Sequence, residues 1–162
     1  MNRRELFSFL SCTPKTGQGS GFSNLRMPYY EDVDRFAECK KCESKDCAAL
    51  CQEKIILISK DGLPYLDFSK SGCTYCDECA IGCTGNVLNV KFKKKIQANI
   101  TISESKCLSW NATMCFSCKD PCLEDAIEFK AMFMPKIDLQ KCTSCGFCIS
   151  RCPSDAINLE VT

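Results

Sequence analysis

Four times along the chain a cysteine is followed by a short polar step and then an apolar pair: Cys51 by Ile55-Ile56, Cys83 by Val87-Leu88, Cys122 by Ala126-Ile127, and Cys152 by Ala156-Ile157. An apolar pair that resumes after a polar step marks the start of a short, half-buried strand. The pattern predicts strands over 55–59 with 65–68, over 87–92 with 98–102, over 127–130 with 136–138, and a last one over 157–161. Asp61-Gly62 is the expected first hairpin turn. Ile55-Ile56-Leu57-Ile58 is strand-sized, and no apolar run approaches the roughly 20 residues that a membrane span needs. Residues 13–21 (Thr-Pro-Lys-Thr-Gly-Gln-Gly-Ser-Gly) read as a flexible polar linker, so residues 1–30 are expected to form an N-terminal arm.

The repeat is anchored by cysteines. Sixteen of the seventeen fall into four groups of four, and only Cys12 stands outside. The last group, Cys142-x2-Cys145-x2-Cys148-x3-Cys152-Pro153, has the spacing of a bacterial [4Fe–4S] motif. The second, Cys73-x2-Cys76-x2-Cys79-x3-Cys83, keeps that spacing. The first, Cys39-x2-Cys42-x4-Cys47-x3-Cys51, and the third, Cys107-x7-Cys115-x2-Cys118-x3-Cys122, each stretch one gap.

A cubane has four irons at tetrahedral corners, each needing a thiolate. Cysteines on one tight loop reach three corners, and the fourth thiolate comes from the partner motif. Pairing adjacent groups puts Cys39, Cys42 and Cys47 with Cys83, and Cys73, Cys76 and Cys79 with Cys51. It likewise puts Cys107, Cys115 and Cys118 with Cys152, and Cys142, Cys145 and Cys148 with Cys122. A nested pairing, first group with fourth and second with third, uses the same residues. The similar spans 51–73 and 122–142, against the longer 83–107 connection, favour adjacent pairs, since sequential elements tend to be neighbours in space.

Other uses of cysteine fit less well. Structural zinc uses C-x2-C knuckles split by a longer loop, and the third and fourth cysteines of each group form no such knuckle. A disulfide framework calls for an oxidising compartment and an even count. The expected fold is therefore α+β: two tandem bacterial ferredoxin-like 2[4Fe–4S] units, over 31–95 and 96–162, with short antiparallel sheets and short helices starting near the third cysteine of each group. Units of that size bury little core of their own, so the clusters are expected to act as the core.

Charge and composition narrow the function. The formal net charge is +1. Four oxidised clusters, each about −2 with its thiolates, would bring the loaded protein to about −7. Lys91, Lys93, Lys94 and Lys95 then read as a solvated turn on an acidic body, and nucleic acid is not an expected partner. Histidine is absent, which removes imidazole ligands and the usual near-neutral acid–base group. No phosphate-cradling glycine motif or dinucleotide fingerprint is present. The residues point to electron handling without catalysis, and Tyr75, Phe116 and Phe147 inside the motifs are placed to shield clusters from water. At the N-terminus, Arg3-Arg4 is followed by Leu6 to Leu10, a stretch broken by Ser8 and too short for an export signal, so the chain is expected to be cytoplasmic.

Taken with the Met27-Pro28-Tyr29-Tyr30 stretch, the four-residue gap between Cys42 and Cys47 and the Cys107-x7-Cys115 gap, the sequence resembles the NapF family, ferredoxin-type accessory proteins of periplasmic nitrate reductase systems. The resemblance covers almost the whole chain. Thr84 after Cys83, where a proline is expected, is a departure. The resemblance implies a protein that meets the cytoplasmic precursor of the catalytic molybdenum subunit and assists its maturation before export, with electrons supplied by a redox protein. Arg3, Arg4, Leu6 and Phe7 are the expected contact with that precursor. A soluble electron relay, or an iron–sulfur subunit of a redox complex, is the competing expectation.

Overall fold

Lys54, Asn86, Asp125 and Asp155 each stand three residues beyond the last cysteine of a group, and all four are left-handed, with φ of 54°, 51°, 44° and 48°. Asn and Asp tolerate this conformation better than other side chains, which explains three of the four. At the fourth, the Lys54 ammonium donates back to the Ala49 carbonyl at 3.1 Å. The reversal sends the following apolar pair inward, so that Ile55, Val87, Leu88, Ala126, Ile127, Ala156 and Ile157 are all buried. These features belong to a computed structural model that describes residues 24–162. Cys12 and the expected contact residues Arg3, Arg4, Leu6 and Phe7 lie outside the described residues.

Two hairpins form where the pattern placed them. Strands β1 (Ile56–Ile58) and β2 (Pro64–Leu66) pair antiparallel with Ile56 opposite Leu66. Gly62, at φ +77°, makes the turn, and its N–H donates to the Ser59 carbonyl at 3.0 Å. Strands β4 (Ile127–Lys130) and β5 (Phe133–Ile137) pair with Ile127 opposite Ile137 and a bulge at Phe129/Lys130. Ala131 and Met132, both at positive φ, supply a two-residue loop whose twist matches its strands.

The expected pairing of 87–92 with 98–102 does not form. Strand β3 (Ala98–Ile102) instead pairs along its whole length with β6 (Ile157–Val161), Ala98 opposite Val161 and Ile102 opposite Ile157. Val90–Phe92 is a short 3-10 turn, capped where the Asn89 side chain accepts from the Lys91 N–H. Residues 25–30 depart from the expected arm as well. Leu25, Met27, Tyr29 and Tyr30 are buried, and their segment accepts hydrogen bonds from Asn89 N–H (to Tyr29) and Lys94 N–H (to Pro28). Around the first two cysteine groups this segment holds the place that β3 holds around the last two.

Helix α1 (Asp46–Ala49), α2 (Glu78–Ile81) and α3 (Phe147–Arg151) each carry the third cysteine of a group, and each follows a left-handed residue: Lys45, Asp77 and Gly146. In the third group Cys118 sits in a turn in place of a helix, closed by Lys119 N–H to Phe116 O at 2.8 Å. The apolar side chains gather in two cores. One is built around Leu25, Met27, Tyr29, Leu66 and Phe68, the other around Ile100, Ile127 and Ile157, and Ile149 and Leu159 touch both. Short helices beside small antiparallel sheets make an α+β fold of the ferredoxin-like kind.

Candidate metal centres

Four cavities open among these elements, and each is lined by four cysteines. The first holds Cys39, Cys42, Cys47 and Cys83. The second holds Cys51, Cys73, Cys76 and Cys79. Cys107, Cys115, Cys118 and Cys152 surround another, and Cys122, Cys142, Cys145 and Cys148 the last. The structure thus brings together the sixteen cysteines in the quartets expected from adjacent pairing, with the fourth thiol crossing from the neighbouring motif.

The crossing has a local cause. A helical turn between the third and fourth cysteine of a group, such as α1 between Cys47 and Cys51, puts the two thiols at opposite ends of one short rigid element. One end faces the group's own cavity and the other faces its neighbour's.

Counted with the solvent space at their mouths, the cavities span about 330 to 420 Å³ each. Among the described residues no three Cys, Asp or Glu groups converge as a single-ion site requires. The thiols stand around a volume, as a polynuclear core needs. Main-chain donors point at several of the sulfurs: Leu88 N–H to Cys83 Sγ at 3.4 Å, Ala126 N–H to Cys122 at 3.3 Å, Ser144 N–H to Cys142 at 3.4 Å, and Ala156 N–H to Cys152 at 3.2 Å.

Burial opposes ionisation of several thiols. It pushes Cys47 and Cys73 up to about 11 and Cys118 to about 12, and raises Cys39, Cys79, Cys145 and Cys148 as well. The neighbouring thiols add to the rise, and they include the crossed partners: Cys83 for Cys47, Cys51 for Cys73, Cys152 for Cys118 and Cys122 for Cys145. Among the described cysteines Cys42 is lowered, chiefly by the Lys45 N–H. Four thiolates around one cavity are tolerable only with positive charge between them, and a [4Fe–4S] core of charge 2+ supplies it. The donor set fits that group.

Some residues that shape the sites carried no readable signal. The Lys45 ammonium, within the four-residue gap of the first group, donates to the Cys39 carbonyl and, at 2.8 Å, to the Gly62 carbonyl. In the seven-residue gap of the third group, Asn111 Nδ2 donates to the carbonyls of Glu104, Ser105 and Cys107 at 3.1, 3.3 and 2.8 Å. Trp110 Nε1 ties the same loop to Pro135 O at 3.2 Å. Both stretched gaps are therefore folded loops that deliver their cysteines. Of the motif aromatics, Phe147 lines the Cys142 cavity, Phe116 packs against Phe129 with ring centres 4.7 Å apart and planes tilted by 51°, and Tyr75 bonds through its hydroxyl to Thr143 O at 2.6 Å.

Residues 135–158 match the family of 4Fe-4S binding domains. Ferredoxin-type protein NapF of Haemophilus influenzae is 30% identical over 162 residues, covering 97% of this chain and 90% of that protein. Ferredoxin-type protein NapF of Escherichia coli K12 is 28% identical over 151 residues, 90% of each chain. One component of the Na(+)-translocating ferredoxin:NAD(+) oxidoreductase complex of Acetobacterium woodii is 30% identical over 124 residues, 71% of this chain but 35% of its own length.

Proposed function

The chain belongs to the NapF family of ferredoxin-type proteins, and from that premise we propose that it holds four [4Fe–4S] clusters in two tandem units and assists maturation of the catalytic molybdenum subunit of periplasmic nitrate reductase in the cytoplasm, before export, by supplying electrons. The observation that carries the cluster reading is the sorting of sixteen cysteines into four cavities of four. Bound there, the clusters would supply one-electron oxidation and reduction.

The chain's own residues hold and insulate. The thiolates ligate, the main-chain N–H groups stabilise their charge, and Met27, Tyr29 and Leu66 beside Cys51 and Cys79 keep water out. Cys76, on the exposed side of the same cavity, leaves one edge open to a partner. No proton-transfer group is required for this work, in keeping with a chain that has no histidine. No described helix is long and apolar enough to cross a membrane.

Two measurements test the proposal. Anaerobically purified protein should contain about 16 irons, four per cubane. Substantial zinc with little iron would end the cluster reading. A pull-down from cytoplasm should capture the precursor of the molybdenum subunit in preference to the mature enzyme. Capture of membrane quinol-oxidising components with no precursor would favour an electron relay, the reading to which the likeness to a component of an ion-translocating oxidoreductase lends support.

A further inference from the structure

The motifs with unbroken spacing, the second and fourth, meet each other across the middle of the molecule. Cys73 N–H donates to the Cys145 carbonyl at 2.7 Å. A ligand of one inner cavity is thereby joined to a ligand of the other through covalent bonds interrupted by a single hydrogen bond.

Two glycines allow the approach, one from each side. A Cβ on Gly72 would lie 2.5 Å from Phe147 N and 2.7 Å from Cys145 O. A Cβ on Gly146, at φ +85°, would lie 2.2 Å from the Phe68 ring. Phe147 thus packs on Gly72 and Phe68 on Gly146, a reciprocal lock in which any larger residue forces the chains apart. Tyr75 closes it. Its hydroxyl donates to Thr143 O at 2.6 Å and accepts from Ile96 N–H at 3.2 Å, and Ser144 Oγ donates to Ala98 O at 2.5 Å. Cys73 and Cys145 also share the wall of an open depression lined by residues of both units.

Each of the four cavities is lined from one half of the chain, the second by residues 27–79 and the fourth by 100–148 as much as the first by 38–88 and the third by 102–157, so it is the Cys73–Cys145 contact that sets the second and fourth side by side. The first and third motifs carry the stretched gaps. We infer that the Gly72–Tyr75 and Thr143–Phe147 loops form an electronic junction that couples the second and fourth centres and fixes the spatial order of the four as first, second, fourth, third. The inference rests on the four-cluster reading. It explains why compact spacing belongs to the inner motifs, where two loops must pack face to face, and why insertions belong to the outer ones, which have room for them. The hand-over across the junction moves one electron, reducing one centre as the other is oxidised, with no bond made or broken and no proton transferred.

The test uses full-length protein reduced anaerobically with dithionite, with iron measured before spectroscopy. In the parent, electron paramagnetic resonance should show spin–spin broadening and fast relaxation from four interacting centres. In Gly72→Val, with all iron retained, relaxation should slow severalfold and the spectrum should become that of two separate pairs. Tyr75→Phe, which removes only the hydroxyl, should move the same way by less. Unchanged coupling at full iron in both variants overturns the junction while leaving the cluster reading intact. A parent with well under 16 irons overturns the reading beneath it. Should even Tyr75→Phe lose iron, the loops serve to bind metal and do not act as a separable coupling element, and the inference falls.

Discussion

Stripping the iron anaerobically with a chelator is expected to unfold the protein, with loss of most far-UV circular dichroism and rapid proteolysis. The secondary structure cannot stand alone. The described α-helices are four or five residues long and the longest 3-10 helix, Asp34–Lys41, is eight, all below the ~12–15 residues at which an isolated helix becomes even marginal in water. Every sheet among the described residues has two strands, and a lone two-stranded hairpin is marginal at best. The cores are small and are partly made of the ligands: Cys148 and Cys152 are two of the six buried members of the second.

Without metal, those buried positions must hold thiols around an empty centre, and metal binding becomes folding free energy. The two cores should not yield together. The first has the larger apolar packing, with Leu25, Met27, Tyr29, Leu66 and Phe68 almost wholly buried, and of these Leu25 and Phe68 line none of the four cavities. Residual amide protection in the apoprotein should therefore concentrate in 25–98. Native-like circular dichroism and protease resistance after complete iron removal would show that packing, and not metal, holds the fold.

What could be read from the sequence was whatever is fixed over short range. The quartets were legible because a cubane demands four thiolates and a tight loop reaches only three corners. The hairpins at Gly62 and at Ala131-Met132 were legible because each joins consecutive apolar runs. The pairing of Ala98–Ile102 was not, because the rule that neighbours in sequence pair in space pointed to 87–92, whereas β3 closes on the far end of the chain at Ile157–Val161.

The same rule hid the role of residues 25–30. Leu25 is buried and Met27 to Tyr30 are buried in succession, but the polar linker before them drew the whole stretch into an arm. Their counterpart is the alternation of Ala98 and Ile100, buried ahead of the third motif. Nothing local marks Gly72 or Gly146 either. Their neighbours there, Phe147 and Phe68, are more than 70 positions away in sequence, so only the assembled fold reveals why a side chain is excluded.

Cys51→Ala should damage the centre of the second motif, not that of its own. Cys51 lies at the end of the turn that begins with α1, and the cavity it lines is that of Cys73, Cys76 and Cys79. Cys39, Cys42 and Cys47 share their cavity with Cys83 instead. Removing the Cys51 thiolate leaves one cubane corner without its protein ligand, so iron content should fall by up to about four per chain. Which four is decided by the thiols. Under brief anaerobic alkylation followed by mass spectrometry, Cys73, Cys76 and Cys79 should become labelled while Cys39, Cys42 and Cys47 stay protected by their intact centre. The exposed position of Cys76 makes it the most sensitive reporter. The reciprocal variant, Cys83→Ala, should reverse the pattern, labelling Cys39, Cys42 and Cys47. Labelling confined to Cys39, Cys42 and Cys47 in Cys51→Ala would mean that each motif ligates its own cluster, and would overturn the crossed arrangement in the first unit.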